Sequence, residues 1–156
     1  MAESAITDDM RALIGVDGPE RTSEVTSTGC RLFARAVGHT DPIFYDRATA
    51  QQRGYRDVVA PPGFLGSPVF LPGERVEPGG GPSIKTPYRR VLNGGTTFEY
   101  FEPLCAGDIV RSRSKVTEIQ ERLGSIGPML ITSSETSYVR SDGKLVAKMY
   151  GSIINY

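Results

Sequence analysis

The clearest hydrophobic pattern in the chain lies in its second half. Four stretches, Thr96 to Glu102, Asp108 to Ile119, Met129 to Arg140 and Lys144 to Tyr156, are rich in β-branched and aromatic residues. That composition predicts four strands, separated by Pro103 to Gly107, Leu123 to Pro128 and the turn Ser141-Asp142-Gly143. Alternation is cleanest in the third: Leu130, Thr132, Ser134, Thr136 and Tyr138 fall on one face, Ile131, Ser133, Glu135, Ser137 and Val139 on the other. Neither face is fully apolar, so this strand is expected to be partly exposed or at an interface. An antiparallel meander is the expected arrangement.

The first half follows a different period. Thr7 is placed to cap a short helix running to Ile14, with acids in its first turn and Gly15 after it. Glu24 to Thr26 suggests a brief strand. Ser27 then opens a helix whose apolar stripe is Cys30, Leu32, Phe33, Ala36 and Val37, with Gly38 as its stop. After the Asp41-Pro42 turn, Asp46 caps a further helix that ends at Gly54. Ala60 to Gly95 holds most of the prolines and many glycines, so loop is expected there, with Phe64 to Leu71 as a short helix and Pro78 to Pro82 as a flexible stretch. Helices first and a sheet second describe one α+β domain over residues 1–156, its sheet wrapped around a helix.

Charge narrows the function classes. With 18 Lys plus Arg against 18 Asp plus Glu, the formal net charge is zero, and no block of like charge suggests a nucleic-acid partner. The acids in MAESAITDDMRALIG and the lack of a long apolar run predict a soluble cytoplasmic protein without membrane contact. Cys30 and Cys105 stand alone, outside any CxxC or Cys/His cluster, so half-buried free thiols and no metal site are expected. No GxSxG, HExxH, Walker or dinucleotide motif is present, and no cofactor is called for.

The stretch that invites chemistry is Gly38 to Asp46, which holds the single histidine, His39, near Asp41 and Asp46. A histidine oriented by a carboxylate can act as a general base. The competing possibility is a histidine that merely follows a helix stop and faces solvent. Lys85, Tyr88, Arg89 and Arg90 form a basic cluster able to meet phosphates, or equally an ordinary solvated surface.

Taken in order, these segments resemble the MaoC-like dehydratase and hydratase family, especially its N-terminal-type, non-catalytic-half branch. The resemblance rests on Phe33-Ala34-Arg35-Ala36-Val37-Gly38, Asp41-Pro42-Ile43-Phe44-Tyr45-Asp46, Gly54-Tyr55 and Val58-Val59-Ala60-Pro61-Pro62-Gly63-Phe64. It continues through Leu92-Asn93-Gly94-Gly95, Phe98-Glu99-Tyr100-Phe101-Glu102-Pro103 and Ala106-Gly107-Asp108, spanning roughly residues 10 to 156. It implies a hot-dog fold, an antiparallel sheet around a central helix. It also implies a subunit of an (R)-specific enoyl-thioester hydratase or 3-hydroxyacyl-thioester dehydratase, taking acyl-CoA or acyl-ACP.

Active members carry an Asp/His dyad at the positions that here hold His39 and Phe44, and phenylalanine cannot transfer a proton. The turn expected to supply a carbonyl-polarising backbone N–H reads Ala60-Pro61-Pro62-Gly63, whose prolines have none. The resemblance therefore points to a second hot-dog subunit carrying the dyad, in a dimer or heterotetramer, with Phe44, Tyr45, Val59, Gly63 and Phe64 of this chain shaping the acyl pocket. Two alternatives stay open: an independent hydratase using His39 with Asp41 or Asp46, and a non-enzymatic module that binds acyl thioesters.

Overall fold

A computed structural model describes residues 4–73, 84–125 and 127–156. The elements in chain order are α1 (Asp8–Ala12), β1 (Arg21–Glu24), α2 (Ser27–Val37), a single 3₁₀ turn (Pro42–Phe44), α3 (Arg47–Gln52), β2 (Ser67–Pro68), β3 (Val91–Tyr100), β4 (Ile109–Gly124), β5 (Gly127–Arg140) and β6 (Leu145–Asn155). All six strands join one antiparallel sheet in the order β2-β1-β4-β5-β6-β3.

Local chemistry explains the helix ends. Thr7 accepts the Met10 N–H and opens α1, and Asp46 accepts the Thr49 N–H and opens α3. The cap of α2 is Thr26, one residue before the expected Ser27, because the Thr26 hydroxyl reaches the Gly29 N–H. Gly38 closes that helix in the left-handed conformation at φ 78°, where a Cβ is disfavoured.

The sheet departs from a simple meander at one point. Strands β4, β5 and β6 follow one another, but β3 pairs with the far side of β6, from Val91↔Asn155 to Tyr100↔Ala147. Residues 101–108 are the reason, because they make no hairpin. Leu104 and Cys105 are buried, Val59 bridges Cys105, and backbone bonds run from Ala60 N–H to Leu104 O and from Ala106 N–H to Val58 O. The link thus crosses one end of the sheet with its polar backbone satisfied.

A second departure is Phe64 to Leu71. Instead of a helix, Ser67–Pro68 forms β2 against β1, because Gly63 and Gly66 take φ of 92° and 96°. A Cβ at Gly66 would meet the Glu24 carbonyl oxygen at 3.0 Å, so the close approach of the two chains needs glycine there. The Pro78 to Pro82 stretch lies outside the described residues.

Three apolar clusters hold the sheet to what covers it. In the largest, Cys30 of α2 packs with Val25, Val58, Leu65, Leu104, Val110, Val146 and Ala147. A second joins Met10 of α1 to Val116, Ile119 and Leu130, and a third joins Ile43, Ala50, Val59 and Cys105. Both cysteines are fully buried rather than half-buried, at 0% and 1% exposure, and neither is in a disulfide. Burial, with Cys105 nearby, pushes the Cys30 thiol up to about 11, so it stays protonated at neutral pH.

Strand β5 is central, yet only Leu130, Thr136 and Arg140 along it are buried. On its other face Glu135 meets Lys115 at 3.4 Å and Lys148 at 3.5 Å, which explains why that face carries charge. The edge strand β3 is different: nine of its ten residues are exposed and only Phe98 is half-buried. Among the described residues, no helix is long and apolar enough to cross a membrane.

Candidate functional site

Three short devices shape residues 38–46. The His39 N–H returns to the Ala34 carbonyl at 2.9 Å, finishing α2. Asp41 then caps the 3₁₀ turn by accepting the Ile43 N–H at 3.1 Å, and both its oxygens receive Arg53 Nη1 at 2.9 Å. Finally Asp46 accepts from the Thr49 N–H and hydroxyl, each at 2.7 Å. The Ile43 N–H, with Arg53 beside it, holds the Asp41 carboxyl below the ordinary range. The Thr49 hydroxyl and N–H do the same for Asp46.

Both carboxylates near the histidine are therefore engaged as caps. Among the described residues the imidazole makes no hydrogen bond to either; its neighbour is the Phe44 ring, 5.3 Å away between centroids and tilted by 48°. The expected pairing of His39 with Asp41 as base and orienter is not assembled in this arrangement. The Tyr45 hydroxyl donates to the His39 carbonyl at 2.6 Å, and Arg31 Nε donates to the Tyr45 carbonyl at 2.7 Å. Tyr45 thus braces the turn and does not line the cavity beside it.

That cavity, about 430 Å³, lies between the 3₁₀ turn, the Val59 to Leu65 segment and the link after β3. It falls within the size range of small-ligand sites. Of the residues singled out from the sequence, Phe44, Val59 and Phe64 line it. Tyr55, Tyr100 and Phe101 also line it and were not anticipated, and Glu102 supplies an acidic edge. The strand character of Thr96 to Glu102 was legible, but the proximity of Tyr100 and Phe101 to Phe44 depends on β3 docking at the far side of β6.

Gly63 sits in the turn at this cavity, between the lining residues Pro62 and Phe64. Its N–H is already taken, donating to the Tyr100 hydroxyl at 2.6 Å. The φ of 92° at Gly63 favours glycine, and a Cβ there would also press on Phe33 at 3.1 Å. Phe33 in turn packs against Phe64, centroids 5.5 Å apart.

Gly29, on α2, is a less obvious determinant of the cavity. A Cβ on it would come within 2.7 Å of the end of the Phe64 ring. Alanine at position 29 favours helix by ~1 kcal/mol over glycine, so Gly29→Ala is expected to fold while displacing the Phe64 ring. The longest member of an n-alkanol series that binds in the cavity should then change relative to wild type, measured by calorimetry. An unchanged series would show that Phe64 does not set the cavity's length.

A second cleft, of about 350 Å³, opens on the outer face of β4 and β5 and is lined by both signs of charge. Its cations are paired, Arg113 with Glu20 at 3.3 Å and Lys115 with Glu135 at 3.4 Å. In the basic cluster after the undescribed stretch, Arg90 lies over the Tyr156 ring at 5.9 Å, while Lys85 and Arg89 are exposed. Among the described residues no group of three or more His, Cys, Asp or Glu side chains is gathered to hold a metal.

Comparison with known proteins agrees with this architecture. Residues 12–149 match the family model described as FAS1-like, dehydratase domain region. A UPF0336 protein of Thermobifida fusca is 38% identical over 117 residues, covering 72% of this chain and 71% of the relative. The ChsH1-ChsH2 complex from Mycobacterium tuberculosis superposes with a TM-score of 0.72 at 19% identity, covering 90% of this chain and 88% of the other. The HadBC (3R-hydroxyacyl-ACP dehydratase) complex of the same organism gives 0.70 at 21% identity, covering 92% and 97%. A curled antiparallel sheet carrying few helices, a match across most of the chain and these neighbours place the protein in the FAS1-like dehydratase-region family, with the hot-dog fold of the MaoC-like dehydratases and hydratases.

Proposed function

We propose that this chain is the accessory half of a heteromeric (R)-specific enoyl-thioester hydratase or 3-hydroxyacyl-thioester dehydratase. Its cavity shapes the acyl site, and a second hot-dog subunit supplies the Asp/His dyad. The observation that carries this reading is the contact of His39 with Phe44, at the two positions where an acid and a base are needed. Neither Asp41 nor Asp46 can substitute without giving up its cap.

The neighbouring structures lend support, since two of them are complexes of named pairs, ChsH1 with ChsH2 and HadBC. The exposed edge β3 supports the same reading, because its outer side has no strand partner among the described residues. Val91 and Leu92 are 62% and 47% exposed there. An edge of this kind invites continuation of the sheet by another protein. The acyl thioester enters as substrate, on coenzyme A or an acyl carrier protein, and the dyad of the partner adds or removes water.

Hydration of enoyl thioesters of several lengths tests this directly. The isolated chain is expected to be inactive, and a mixture with a dyad-bearing hot-dog protein co-expressed from an adjacent gene is expected to turn over. Activity in the isolated chain, abolished by His39→Ala, would move catalysis onto this subunit and overturn the proposal.

A further inference from the structure

We infer that the Tyr100 hydroxyl, rather than the Gly63 N–H, is the hydrogen-bond donor that this cavity offers to the carbonyl of a bound acyl group. The inference rests on the acyl-thioester reading above and names the group that would recognise the ligand's polar end. A backbone N–H aimed into an apolar site is the ordinary way to hold such a carbonyl. In this chain the turn has two prolines without an N–H, and the Gly63 N–H donates to Tyr100 Oη at 2.6 Å.

The bond to Gly63 leaves the phenol with a donor to spare. A tyrosine hydroxyl both accepts and donates, so accepting from Gly63 does not use its own proton. No acceptor for that proton is present among the described residues, although Tyr100 lines the cavity. The hydroxyl is also fixed in place: the bond ties it to the turn between Pro62 and Phe64, and the ring stacks on Phe98 at 6.0 Å and 21°. An accepted hydrogen bond polarises the O–H and strengthens the bond it donates. The result is a relay in which Gly63 N–H points to Tyr100 Oη, and Tyr100 O–H points to a ligand carbonyl.

The probes are the octanoyl thioester of N-acetylcysteamine and the matching octyl thioether, which lacks the thioester carbonyl, bound to the 156-residue chain and followed by calorimetry. Tyr100→Phe keeps the ring and removes only the hydroxyl. It is expected to weaken the thioester about tenfold and leave the thioether within about twofold, the loss of one hydrogen bond to an uncharged acceptor. The infrared carbonyl stretch of the bound thioester should shift to lower frequency in the wild type, a readout that needs no variant. Equal losses for both probes, no loss for either, or an unshifted carbonyl would overturn the donor role of Tyr100 while leaving the acyl cavity standing. A wild-type chain that binds neither probe would overturn the acyl reading itself, and this inference with it.

Discussion

Arg56→Ala is expected to lower the stability of the chain by about 3 kcal/mol, a large loss for a residue whose own side chain is 59% exposed. The cost falls on its partner. Asp108 is buried, and its two oxygens receive the Arg56 guanidinium at 2.9 and 2.8 Å. Without Arg56 the carboxylate keeps, among the described residues, only the Cys105 N–H, at 2.9 Å, as a hydrogen-bond donor. A buried charge that loses its counter-ion is costly because the low-dielectric interior no longer offers compensation. Asp108→Ala should cost less, about 2 kcal/mol, since Arg56 then turns to water and one buried N–H goes unpaired.

The double variant should cost less than the sum, because the two residues share one interaction. Urea unfolding of the four proteins measures all three quantities. A loss below about 0.5 kcal/mol for Arg56→Ala, the range of ordinary surface changes, would mean that water already solvates Asp108. The pair also matters to the site, since it ties the segment before Val59 to the link that carries Leu104, and Val59 and Leu104 line the cavity.

The second large effect concerns assembly. Leu92→Glu places a charge on the exposed edge of β3, where the chain itself offers little for Leu92 to pack against. The isolated chain should therefore unfold within about 0.5 kcal/mol of wild type. In the mixture with the dyad-bearing subunit proposed above, association and any hydratase activity of that mixture should both fall at least tenfold. Burying a carboxylate in a continuous sheet without a partner is costly enough to separate the subunits. Sedimentation and turnover are read on the same samples. An intact complex with full activity would show that the subunits meet through another surface.

Much of the fold was legible because it is written locally. Thr7 and Asp46 as caps, Gly38 as a stop and the alternation from Leu130 to Tyr138 depend on bonds and periods within a few residues. The order of short motifs from Phe33 to Asp108 identified the family, and the family model spanning residues 12–149 agrees. That Phe44 has no proton to give could also be read directly, since an amino acid's capacity to carry a proton needs no coordinates.

What the tertiary structure alone decided is which of these residues meet. The docking of β3 on the far side of β6 is set by the link Phe101 to Asp108, which buries Leu104 and Cys105 and pairs its backbone with residues 58–60. No local pattern encodes that pairing, because it joins segments more than forty residues apart. It brings Tyr100 to Gly63, so the Gly63 N–H in the turn after Pro61-Pro62 is already bonded. Close approach acts in the same way at Gly66, which faces β1, and at Gly29, which faces Phe64. Sequence determined most of the elements and the chemistry each side chain can carry; packing determined the cavity and its polar groups, because contacts between distant segments are fixed by space-filling and backbone satisfaction and not by neighbours along the chain.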